Sequence, residues 1–168
     1  MNRFIRYVTL GILIMLLTAC GFQLRGWSPE SRLTIESIYL DVPIGTPLER
    51  DLRTIIRANN TQLTEDAKSA LVTLRVLSQA QEKKVLTLNA QGKVREFSLT
   101  YRVSFEVTDA KNNKLLQPPE IALQFILPYS EEQALAKEQE ERMTFEDLRR
   151  DAVAQIMRQL ARVKLEQL

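Results

Sequence analysis

The chain has 168 residues, a formal charge of +2, one cysteine and no histidine. A soluble chain of this length builds one complete core, not two large domains. The missing histidines exclude Ser-His-Asp and Cys-His catalysis and every His-bearing metal site, and a lone cysteine excludes a disulfide within the chain.

The chain opens on Arg3 and Arg6, then a mostly apolar run over residues 7–17, then small residues. That order describes a secretory signal, and the run is shorter than the roughly twenty residues that cross a bilayer. Leu17-Thr18-Ala19-Cys20 resembles the bacterial lipobox. The resemblance implies diacylglycerol on the Cys20 thiol, cleavage just before it and acylation of the freed amine. Several acyl chains on Cys20 anchor a protein permanently in membrane lipid, where one chain alone is marginal. Gly21, where an aspartate would mean inner-membrane retention, implies an outer-membrane address.

Residues 1–19 hold Arg3, Arg6 and no acid. The mature chain therefore carries 21 basic and 21 acidic side chains, and that balance argues against a nucleic-acid partner. The organisation expected is a signal peptide over 1–19, a lipidated tether over 20–32 and a single α+β domain over 33–168. Phe22, Leu24 and Trp27 are unlike a linker and suit packing on the domain, the bilayer or a partner.

Residues 33–42 read as a first strand whose apolar phase switches near Ser37, a sign of a bulge or of cover on both sides. Thr46-Pro47-Leu48-Glu49 starts a helix, with Thr46 as cap, Pro47 at the first position and Glu49 completing a capping box. Leu48, Leu52, Ile55 and Ile56 line its apolar face, and Asn59-Asn60 ends it. A long hairpin is expected over 71–107, turning at Asn89-Ala90-Gln91-Gly92. Its return strand alternates cleanly through Phe97, Leu99, Tyr101, Val103, Phe105 and Val107. A fourth strand lies within 115–127, with Pro118 and Pro119 at its edge or outside it. Ser130 opens the last helix with Gln133 as box partner, and the helix runs to the C-terminus. Its stripe is Phe145, Leu148, Ala152, Ile156, Leu160 and Val163, thickened by Val153 and Met157. The fold class expected is α+β: two helices packed on a small, mixed, four-stranded sheet with a projecting hairpin.

No catalytic constellation emerges. The aspartates form no metal loop, no glycine-rich phosphate loop exists, and Glu138, Glu140 and Glu141 read as a solvated acidic face. No enzyme, metal or cofactor is expected. Lys83, Lys84, Lys93 and Arg95 cluster near the hairpin end. Such a cluster suits charge protection of an edge strand, an anionic lipid headgroup or a protein contact. Lys137 joins it only if the fold brings the last helix close.

The full pattern resembles the LPS-assembly lipoprotein family LptE of Gram-negative outer membranes. The resemblance is carried by Cys20-Gly21-Phe22-Gln23-Leu24-Arg25-Gly26, by the strand, helix, long hairpin, strand, helix order, and by Ala134-Leu135-Ala136-Lys137 before an acidic run. It implies a one-to-one plug complex with the LptD β-barrel, help with barrel assembly, and binding of lipopolysaccharide during its insertion into the outer leaflet. It implies lipopolysaccharide contacts at the hairpin and at Lys137. The family's hairpin arginine, just before the turn, has no basic match at Leu88 or Ala90, so Lys93 and Arg95 stand in for it. Another outer-membrane lipoprotein, binding periplasmic protein or cell wall, is the alternative reading.

Overall fold

The computed structural model describes residues 33–116 and 120–163. The signal, the lipobox with Cys20, the tether and its Phe22, Leu24 and Trp27 lie outside the described residues.

The elements follow in chain order. Strand β1 is Ser37–Asp41, helix α1 is Pro47–Ala58 and strand β2 is Gln62–Thr64. Strands β3 (Val72–Leu88) and β4 (Val94–Asp109) form the long hairpin. Strands β5 (Lys114–Leu116) and β6 (Glu120–Pro128) follow, then helix α2 (Ala134–Leu160). They build a six-stranded mixed sheet in the order β2-β1-β3-β4-β5, with β6 also paired to β4. β1 runs parallel to β2 and β3, and the remaining pairs are antiparallel.

The expected four-stranded sheet is therefore wrong, for two reasons. β2 is three residues with one apolar side chain, too short for a period, yet it pairs Ser37, Ile38 and Tyr39 of β1 through Gln62, Leu63 and Thr64. The buried Thr61 hydroxyl reinforces this junction by donating to the Ile35 carbonyl at 3.0 Å. The strand expected over 115–127 is two strands, with Pro118 and Pro119 falling between them in sequence, as residues lacking a ladder N–H should. β5 and β6 share one edge of β4, at Val107–Thr108 and at Glu96–Ser104 respectively.

Both turns of the antiparallel region use one device. The Asn89 side-chain oxygen accepts from the N–H of Gln91 and Lys93, at 3.0 and 2.9 Å. The Asp109 side chain accepts from Lys111 and Asn113, at 2.8 and 2.7 Å. Each turn then places a residue at positive φ, Gly92 at 76° and Asn112 at 62°.

Thr46 caps α1 by accepting from the Glu49 N–H at 3.2 Å. The capping box is only half formed, because the Glu49 carboxylate accepts from Arg53 instead, at 2.7 Å. Leu48, Leu52 and Ile56 are fully buried, as a 3.6-residue period requires. The Ser130 side chain makes no cap bond; it precedes a 3₁₀ turn at Glu131–Gln133. α2 ends at Leu160 with Ala161 as its C-cap, not at the C-terminus.

Both helices cover the face of the sheet that carries the odd-numbered residues of β4. Leu99, Tyr101, Val103, Phe105 and Val107 join one core with Leu48, Leu52 and Ile56 of α1 and Leu148, Ala152 and Ile156 of α2. Leu33, Ile35, Ile38, Leu40 and Val42 are all buried there too. A bend at Glu36 reconciles their switch of phase.

Tyr101 is fully buried and its hydroxyl lacks a hydrogen-bond partner among the described residues. It sits within the field of the Asp51–Arg149 ion pair (2.7 Å) that joins the two helices. Burial pushes its phenol up to about 12, opposed by Arg149 and assisted by Asp51. Because the buried phenol resists ionisation, the fold loses stability as pH rises from the ordinary value of 10 to about 12, and is unaffected by its ionisation below that range. Tyr101→Phe is expected to raise stability at pH 8 by on the order of 1 kcal/mol, because an unpaired hydroxyl leaves the core. It is also expected to remove about 2–3 kcal/mol of the alkaline loss between pH 10 and 12. Urea midpoints of both proteins across that range check the sign and the size.

Candidate functional site

The hairpin outruns β1, while β6 follows β4 as far as Glu96. β1 pairs β3 only from Val72 to Arg75, so among the described residues the outer edge of β3 is unpaired from Val76 onward. Two bulges interrupt this edge, at Leu77 and Leu86, and each leaves its leucine exposed. Val85 and Leu88 of the hairpin and Phe125 and Ile126 of β6 are also exposed, with Phe125 and Ile126 on opposite faces of the sheet.

Directly paired residues of neighbouring strands point to the same side, so register decides which lysines can act together. Lys83 pairs Leu99 and faces the helices, whereas Lys84 pairs Ser98 and faces away. The expected single basic patch at the hairpin end is thus divided between two faces. Lys84 forms an ion pair with Glu82 (2.8 Å).

The other three lysines gather around the start of α2. The Lys83 ammonium lies 4.2 Å from the centre of the Phe97 ring and pairs Glu141 of α2 at 2.5 Å. Lys93 pairs Glu131, just ahead of α2, and that carboxylate raises the lysine above its ordinary value, first by hydrogen bonding and then by charge. Lys137 pairs Glu140 within α2 at 2.7 Å. Arg95 is the extra residue of a bulge in β4; it is exposed, with no ion pair among the described residues. A cleft of about 130 Å³ is lined by Lys93, Arg95, Tyr129, Glu131 and Glu132. The Phe97 and Tyr129 rings meet edge to face at 5.1 Å beside it.

Glu131 and Glu141 are the residues the sequence reading missed. It took Glu141 for part of a solvated face, but Glu141 is the counter-charge of Lys83, 58 residues away.

The sheet face turned away from the helices is polar and internally paired. Arg75 bridges Asp41 (2.5 Å) and Glu106 (3.2 Å), and Arg102 lies 3.7 Å from Glu120. Ser78 meets Ser104 at 2.6 Å, and Gln124 donates to Ser98 at 2.7 Å. Among the described residues there is no metal-binding cluster of His, Cys, Asp or Glu, and no helix is long and apolar enough to cross a membrane. A second cleft, of about 350 Å³, lies at the far end of β1 and β2 between Tyr39, Ile44, Arg53 and Leu63.

Two helices on one side of an open mixed sheet and an overlong hairpin with paired charges define an α+β lipoprotein-type module. Residues 31–160 match the family LptE, described as lipopolysaccharide-assembly, and the chain belongs to that family. It is 28% identical over 155 residues to the LPS-assembly lipoprotein LptE of Photorhabdus laumondii, covering 92% of this chain and 84% of that protein. The LPS-assembly lipoprotein LptE of Yersinia pestis is also 28% identical, over 158 residues, covering 92% of this chain and 74% of that protein. Among solved structures, the fold is similar to an uncharacterized lipoprotein B of Nitrosomonas europaea at a TM-score of 0.72 and 37% identity. That match covers 84% of this chain and 90% of the other. The rare lipoprotein B of Shewanella oneidensis matches at 0.67 and 26% identity, covering 74% of this chain and 93% of that one.

Proposed function

We propose that this chain is an outer-membrane lipoprotein that complexes one-to-one with the LptD β-barrel and plugs its lumen. It assists barrel assembly and binds lipopolysaccharide during insertion into the outer leaflet. The family match over residues 31–160 carries this reading. The leader over 1–19 is removed, 20–32 is the lipidated tether and 33–168 is the domain. A mature chain of balanced charge suits a polar lumen, as does a sheet face whose charges are internally paired. The candidate lipopolysaccharide contacts remain Lys83, Lys93 and Lys137 near the start of α2, with Arg95 beside the small cleft and Lys84 on the opposite face.

The test is purification of the full-length lipoprotein from outer membranes in mild detergent, followed by native mass measurement. The expected result is one large β-barrel at a one-to-one ratio. A clean monomer, despite normal expression and lipidation, would move the protein to a general lipoprotein binding module. Mass spectrometry of the same material is expected to find acyl groups on an N-terminal Cys20, and an unmodified Cys20 would remove the anchor.

A further inference from the structure

We propose that the acidic start of α2 is an internal strap that competes with anionic lipid for the hairpin lysines. Glu131 and Glu141 hold Lys93 and Lys83, and an incoming phosphate must displace them. This inference rests on the lipopolysaccharide reading above and concerns how that site is regulated.

The two halves of α2 are held differently. From Leu148 onward the helix is core, with Leu148, Ala152, Val153, Ile156, Met157 and Leu160 buried. Residues 131–144 have no buried side chain. Their half-buried positions, Ala134, Lys137, Glu140, Glu141 and Thr144, recur at helical spacing and are mostly polar. Two ion pairs tie this segment to the hairpin, Lys83–Glu141 and Lys93–Glu131, both at 2.5 Å. Both pairs are solvent-accessible, and such pairs hold weakly and yield to competing charge.

A carboxylate accepts from an ammonium much as a phosphate oxygen does. Each glutamate therefore occupies the position a phosphate would take on its lysine. Beneath the strap side lie the Phe97 ring, with Lys83 over it, and exposed Val85 and Phe125 on the same face of the sheet. Lifting the strap would present cations and apolar surface together, which matches an amphiphile with phosphate groups and acyl chains.

The experiment uses the full-length lipoprotein in mild detergent, with purified lipopolysaccharide as the probe. Glu131→Gln combined with Glu141→Gln is compared with Glu138→Gln, which removes an acid of α2 that pairs with no cation among the described residues. The double variant is expected to bind lipopolysaccharide roughly three- to tenfold more tightly, the release of two exposed pairs. Amide exchange over 134–144 should speed up without ligand while 148–160 stays protected. Unchanged exchange overturns the strap. Unchanged or weaker binding by the double variant overturns the competition, and a gain from Glu138→Gln of half or more of the double variant's, in free energy, reduces it to net charge. Failure of the unaltered protein and all variants to bind is a different result, because it removes the lipopolysaccharide reading itself.

Discussion

Phe105→Ala is expected to destabilise the domain by about 3–5 kcal/mol, the largest stability loss of any change considered. Phe105 sits in the last third of β4, is fully buried and pairs Val76 across the sheet. It belongs to the cluster that joins α1, α2 and the sheet, so the loss acts on the contacts of all three. The phenyl ring leaves a cavity that close-packed neighbours fill only in part. Such a loss is a large fraction of the 5–15 kcal/mol that holds an ordinary domain together. The denaturation midpoint should fall with an unchanged slope against urea, since the surface exposed on unfolding is the same. Leu135→Ala is the control: Leu135 is 83% exposed on the first half of α2, and its loss should stay within about 0.5 kcal/mol. Equal losses at the two positions would mean that the helix covers the sheet through a different face.

The parts of the fold that a sequence displays are those governed by one local period. β4 alternates because one of its faces meets the helices, and the second half of α2 shows a stripe because one side of it is buried. β3 loses its period after Val76 because the bulges at Leu77 and Leu86 each add a residue and shift the alternation. β2 has no period to show; a parallel partner and the Thr61 hydroxyl make it a strand. The prolines did mark the division between β5 and β6, but the same signal also fits a strand beginning after them.

The site was legible as residue types and not as an arrangement. Lys83 and Lys84 are neighbours in sequence and face opposite sides of the sheet, a consequence of strand geometry that becomes definite only once register is known. Their acidic partners differ in the same way. Glu82 lies two residues from Lys84, whereas Glu141 lies 58 from Lys83 and Glu131 lies 38 from Lys93. Long-range charge pairing of this kind has no local pattern. It also changes how the basic residues stand: Lys83, Lys84 and Lys93 are each paired to a carboxylate, whereas Arg95 is exposed with no ion pair among the described residues.

Charge reversal at Lys83 and Lys93 together is expected to weaken lipopolysaccharide binding on the order of 10- to 100-fold, whereas Lys84→Glu should change it by less than about threefold. Lys83 and Lys93 both reach acids at the start of α2, and the Lys83 ammonium lies over the Phe97 ring; an anionic lipid that displaces those acids loses both attractions in the variant. Each reversal removes an attraction, adds a repulsion and leaves Glu141 or Glu131 without its counter-charge. Lys84 carries the same charge one residue away but projects from the opposite face, where its partner is Glu82. Net charge alone predicts a graded loss: two reversals do twice what one does, on whichever face they lie. Placement predicts a separation of at least several-fold between the helix-side pair and Lys84. Lipopolysaccharide titrations of the two variants, at low and at 0.15 M salt, distinguish these outcomes, because screening should shrink a general charge effect more than a direct contact. Losses that simply scale with the number of charges reversed would remove the helix-side site and return the lysines to protection of the β3 edge.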